Sequence, residues 1–246
     1  MFSHEEQWRE ARSFIGGVLF FHSNLPHISD EQMLDWMRKL RAWNLLIELE
    51  VGAIKEWSTD GEKSVRLQKG AWDRLTKLGG EIGSFAMDSP RDKAVVDMHL
   101  GEDFAVEQTV RFIGAVRRAY PNALVGDIEQ YPMAKPEEHI RWIDRLEEGL
   151  RKSGLRGLDF YRLDVDWAEF KEPKDRWWRD VKRIEDHCHE RHIGFSLIYW
   201  ASHFNKHVDK SWYDGIMYEG KAYRDVGGVP DQYVIESWLA FPVVAV

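Results

Sequence analysis

The stretch "FYRLDVDW", residues 160–167, alternates apolar and polar side chains in the manner of a β-strand, yet it carries two aspartates one residue apart. The two-residue period of a strand puts Asp164 and Asp166 on one side with Arg162, opposite Tyr161, Leu163 and Val165. Acids are rarely buried without a partner, so this end of the strand is expected to line an opening rather than a core. The same form recurs along the chain. In "LLIELE" (45–50) Glu48 and Glu50 oppose Leu45, Ile47 and Leu49, and in "IGSFAMD" (82–88) Asp88 shares a side with Ser84 and Ala86. In "ALVGDIE" (123–129) Asp127 and Glu129 oppose Leu124 and Ile128, and "YVIESW" (233–238) adds Glu236.

Strands are expected over 14–21, 44–50, 82–88, 123–129, 158–166, 194–200 and 233–238. Helices are expected near 4–12, 29–42, 68–79, 104–119, 136–152, 173–191 and 208–224. Ser29 with Gln32 forms a capping box, Pro136 and Pro173 suit first helical turns, and Gly79, Gly80 and Gly154 suit helix ends. Strand-to-strand repeats of about 30–40 residues predict an α/β fold of the (β/α)8 barrel type over an open doubly wound sheet. Seven strands are clear, so an incomplete barrel lacking its first strand is expected, as one domain over residues 1–246. An eighth strand could otherwise come only from "DGIMY" (214–218), which reads more easily as helix. The apolar run "FIGGVLFF" (14–21) would then be an edge, covered by the first helix or a partner, or a site of self-association.

A net charge of −8 argues against nucleic acid and anionic membrane surfaces as partners, and no apolar run is long enough to span a membrane. The N-terminus "MFSHEEQWREARS" lacks the basic start and apolar run of a signal peptide, which leaves a cytoplasmic protein or a secreted one whose leader is removed. The single cysteine, Cys188, falls on an apolar helix face with Trp177, Val181 and Ile184 and reads as core. His187, His189 and His192 of "HCHERH" spread around a helix, so no metal site is expected there. His203 and His207 follow a strand end and suit either ligand contact or simple loop polarity.

Five strands that end in acids point to a carboxylate-lined pocket at the C-terminal mouth of a barrel, where such folds carry their chemistry. In glycoside hydrolysis one carboxylic acid protonates the leaving oxygen while a second carboxylate attacks or activates water. Trp57, Tyr131, Trp167, Tyr199, Trp200 and Trp238 fall at or beyond strand ends, where they could hold a sugar. The rival chemistry is a metal-dependent lyase or isomerase, for which a lysine or histidine base is usual, and the inward sets contain neither. A non-catalytic carbohydrate-binding barrel is the third possibility. The preferred reading is a hydrolase without cofactor or metal, with Glu129 as general acid and Asp164 or Asp166 as nucleophile or base.

"IELEVG" (47–52), "AMDSP" (86–90), "VGDIEQYP" (125–132), "LDVDW" (163–167), "IYW" (198–200) and "ESW" (236–238), in this order, resemble a group of glycoside-hydrolase-like TIM-barrel proteins of bacteria and fungi. The resemblance implies that Glu50, Asp88, Asp127, Glu129, Asp164, Asp166 and Trp167 occupy the group's acidic and aromatic positions, while Glu236 stands where a glutamine is usual. "LDVDWAEF" is also similar to the DxDxE signature of chitinase-like barrels, but Ala168 stands at the acid position.

Overall fold

The computed structural model describes residues 1–202, 207–238 and 242, and His203 therefore lies outside the described residues. The seven alternating segments become seven strands in one sheet, in the sequence order β1-β2-β3-β4-β5-β6-β7. Contacts divide the chain into two compact units, Met1–Gly126 and Asp127–Val246.

In the first unit β1 (Gly17–Phe21), β2 (Leu46–Val51) and β3 (Ile82–Asp88) pair in parallel, joined through α1 (Asp30–Ala42) and α2 (Gly61–Lys77). A short turn α3 (Pro90–Asp92) and α4 (Glu102–Ala119) follow. Glu48 pairs with Ser84, whose Oγ donates to Glu48 Oε2 at 2.8 Å, so the acidic positions of β2 face the same way as Ser84 and Ala86. Ile47, Leu49 and Phe85 take the opposite face and are fully buried, with the Trp72 ring of α2 4.9 Å from Phe85. That apolar face lies under helices because only there can the strands exclude water from both partners.

Helix α2 begins at Gly61, earlier than the apolar periodicity alone indicates, because the Asp60 side chain accepts the Lys63 N–H at 2.7 Å and caps it. Gly61 is obligatory at that start: a Cβ would fall 2.0 Å from the Gln108 carbonyl oxygen of α4. Ser29 caps α1 as expected, accepting the Gln32 N–H at 3.2 Å. The N-terminal helix is instead two short 3-10 turns, Glu5–Trp8 and Ala11–Ser13, preceded by Phe2, which stacks on Trp36 at 4.7 Å.

Strand β4 (Leu124–Tyr131) runs on into the second unit, where β5 (Phe160–Val165), β6 (Gly194–Tyr199) and β7 (Gln232–Ile235) alternate with α5 (Pro136–Lys152), α6 (Asp175–Glu190) and α7 (Asp209–Asp225). β5, β6 and β7 pair in parallel. Residues 214–218 lie inside α7, so they are helix and not an eighth strand. Cys188 is fully buried on α6, as its apolar face required. Among the described residues no helix is long and apolar enough to cross a membrane.

Candidate functional site

The faces of β5 to β7 are set by one side chain. Arg162, fully buried, donates from Nε to Ser196 Oγ at 2.8 Å and from Nη2 to Gln232 Oε1 at 2.6 Å. It therefore lies on the side shared by residues 162, 196 and 232 of three paired strands. Asp164, two residues farther along β5 and paired with Ile198, takes the same side and is half-buried. Tyr161 takes the other side, where its hydroxyl meets His139 Nδ1 of α5 at 2.8 Å. Asp166 follows the strand end. Its carboxylate accepts the Ala168 N–H at 3.1 Å and caps the 3-10 turn Trp167–Glu169, while its own N–H donates to the Tyr131 carbonyl at 2.8 Å.

Two acids expected at the mouth are placed differently. Asp127 is fully buried and accepts the Trp142 indole N–H of α5 at 2.6 Å, so its carboxyl is turned into the helix layer. Tyr131, four residues on, has the same orientation: its ring packs against His139 at 6.1 Å and Phe170 at 5.7 Å, and its hydroxyl reaches Asp180 of α6. Burial, with Asp180 nearby, pushes the Tyr131 hydroxyl pKa upward. Glu129, between Asp127 and Tyr131 at the two-residue period, is likewise fully buried.

The aromatic set divides in the same way. Trp167 is buried with its ring 4.9 Å from Tyr218 of α7, and Tyr199 is buried and stacks on Tyr233 at 5.7 Å. These two rings pack; they do not form an open wall. Trp200 is half-buried, and Trp238 is 49% exposed and meets it edge-on at 6.3 Å. Glu236, half-buried, continues the pairing past β7 through its N–H to the Tyr199 carbonyl at 3.1 Å. His207 is exposed.

Glu219 of α7 was not anticipated. It is fully buried, and neither carboxyl oxygen has a hydrogen-bond partner of normal geometry among the described residues. Burial raises its pKa well above the usual carboxylate value; Asp164 adds to the rise, while the backbone N–H groups of Ala201 and Trp200 oppose it. A glutamate on a helix is ordinarily a solvated residue, and only the packing of α7 against the end of β6 reveals this one.

In the first unit Glu50, half-buried, is the last residue but one of β2. Gln68 of α2 then grips the turn, accepting the Gly52 N–H at 3.0 Å and donating to its carbonyl at 2.7 Å. The turn folds Lys55 and Trp57 back over Gly52, where a Cβ would fall 2.7 Å from the Lys55 side chain. Lys55 is 12% exposed and forms an ion pair with Asp88, which is 39% exposed. Trp57 is 46% exposed. Lys55 is thus a cation beside a strand-end acid, outside the strand pattern and so absent from the inward sets. The spacing "EVGAIKEW", a glycine turn directly after the strand, is its only sequence signal.

His187 and His189 bind Asp144 and Asp231 at 2.8 Å each. No group of three or more potential ligands fit to hold a metal occurs among the described residues.

No family model and no curated protein sequence matches the chain. Solved structures do. D-psicose 3-epimerase, crystallised in the presence of D-fructose, is similar with a TM-score of 0.51 and 12% identity, over 95% of this chain and 78% of that one. The carboxyl transferase domain of Rhizobium etli pyruvate carboxylase with pyruvate has a TM-score of 0.50 and 11% identity, over 85% of this chain and 29% of that one. At these identities the likeness is one of fold: an α/β architecture of TIM-barrel type, consistent with the seven parallel strands.

Proposed function

We propose that the chain is a carbohydrate-active enzyme that uses carboxylate acid and base catalysis at the C-terminal ends of β5 and β6. The observation that carries this is Asp164: a half-buried carboxylate at a strand end, on the side fixed by Arg162, with Asp166 just beyond it. Half-burial leaves a carboxylate accessible to substrate yet partly desolvated, the condition under which its charge acts most strongly. Trp200 and Trp238, which retain exposed surface, offer faces for a sugar ring. The D-psicose 3-epimerase likeness agrees with a sugar substrate.

For glycosidic cleavage, Asp164 is assigned as nucleophile or base and Asp166 as proton donor. Glu129, fully buried, supports β4 and does not meet substrate directly in this assignment. A second reading, a sugar isomerase or lyase, is favoured by the Lys55–Asp88 pair, a proton-transfer couple that hydrolysis does not require.

A panel of aryl glycosides, and of free aldoses and ketoses in D2O, tests both: release of the aryl group marks hydrolysis, and carbon-bound deuterium marks isomerisation. Asp164→Asn should remove hydrolysis at least a hundredfold with the fold retained. An Asp164→Asn enzyme of full activity refutes the role, and a wild-type protein that neither turns over nor binds any sugar refutes the class.

A further inference from the structure

We propose that Glu219 is a positioning residue for Asp164: an uncharged carboxyl carried by α7 whose retained proton leaves Asp164 the only negative charge of that pair. The inference rests on the assignment of Asp164 above.

The geometry is that of a carboxyl whose charge would be poorly compensated. Glu219 is fully buried, neither oxygen has a hydrogen-bond partner of normal geometry among the described residues, the Ala201 and Trp200 backbone N–H groups offset the burial only in part, and Asp164 of β5, which acts on it, is itself an acid. An ionised carboxylate in such a place is costly, and the group keeps its proton instead. From β6 comes Tyr199, on whose hydroxyl Glu219, Tyr233 of β7, Glu185 of α6 and the Arg224 cation all act. On α7 itself Tyr223 donates to Glu185 at 2.6 Å and is not available to Glu219. The raised pKa of Glu219 agrees with this picture.

The helix is held at the strand ends by close contacts. A Cβ on Gly215 would fall 2.7 Å from Ala201, and the Trp212 indole N–H reaches the Glu236 carbonyl at 3.3 Å. A second negative charge on α7 would therefore be repelled by Asp164 with little room to withdraw. Ionisation of Glu219 thus sets an upper pH limit for the arrangement.

The test uses the full chain and needs no substrate, so its failure is distinguishable from a failure of the carbohydrate assignment. Urea unfolding of wild type and Glu219→Gln is compared between pH 4 and 9. A carboxyl with a raised folded pKa contributes its stability below the unfolded value and loses it as pH rises toward the folded value. The unfolding constant of wild type relative to Glu219→Gln should therefore rise as much as tenfold per pH unit above about pH 4.5. A ratio independent of pH overturns the proposal. In carbon-13 spectra the Asp164 carboxyl should show a second, alkaline inflection that is absent in Glu219→Gln, and its absence in wild type also overturns it. Should Glu219→Gln fail to fold, Asp164→Asn gives the same decision: removing the neighbouring charge should lower the pH at which Glu219 ionises, and an unchanged Glu219 titration refutes the coupling.

Discussion

Arg162→Met should be among the most damaging single substitutions in the second unit. The guanidinium is fully buried and spans three strands, bonding Ser196 at 2.8 Å and Gln232 at 2.6 Å, and it lies 4.9 Å from the Phe160 ring centre. Methionine preserves much of the volume but none of the donors. A hydrogen bond from a charged donor is worth about 1.5–3 kcal/mol, and the buried Ser196 hydroxyl, also with no exposed surface, would lose the guanidinium it accepts from, at a cost of about 1–3 kcal/mol. The Gln232 end, on an exposed residue, adds less. The sum is on the order of 3–5 kcal/mol. Gln232→Ala, by contrast, should cost only about 1 kcal/mol. Urea unfolding followed by tryptophan fluorescence measures both. A loss below about 1 kcal/mol for Arg162→Met would show that Arg162 does not tie β5, β6 and β7 together.

Trp142→Phe should cost about 2–4 kcal/mol in the same assay, because it removes the donor to Asp127 and part of a buried ring; near-neutrality would mean that Asp127 is not held by α5. Asp60→Ala should cost about 1 kcal/mol as a lost helix cap. The Lys63 N–H holds the Asp60 pKa below its usual value, so the cap's contribution is present at neutral pH and lost as pH falls through that lowered value; an Asp60→Ala deficit unchanged at pH 2 would contradict this.

The order and kind of elements were legible in the sequence because each strand and helix carries its own period and its own stops. "IGSFAMD" became β3 over Ile82–Asp88, and α5 began at Pro136 and ended at Lys152 as its proline and apolar spacing required. Where a strand has one apolar and one acidic side, the alternation also names the side that meets the helices. In β2 Ile47 and Leu49 oppose Glu48 and Glu50; the apolar pair has almost no exposed surface, whereas Glu50 is half-buried and Glu48, though buried, is held on the other side by Ser84.

Strand β4 shows where that logic stops. Both its sides are apolar enough to be core, with Val125 and Tyr131 on one and Ile128 on the other, so period two sorts the residues into sides without saying which side is which. That choice was made by the indole N–H of Trp142 on α5, which satisfies Asp127 from the helix layer. Lys55 and Glu219 were hidden for a related reason: one lies in a turn and the other on a helix, and neither period applies across elements. Local sequence determines what each segment is and which residues share a side. Only tertiary packing decides what faces that side, and with it whether a carboxyl meets water, a hydrogen-bond donor or another acid.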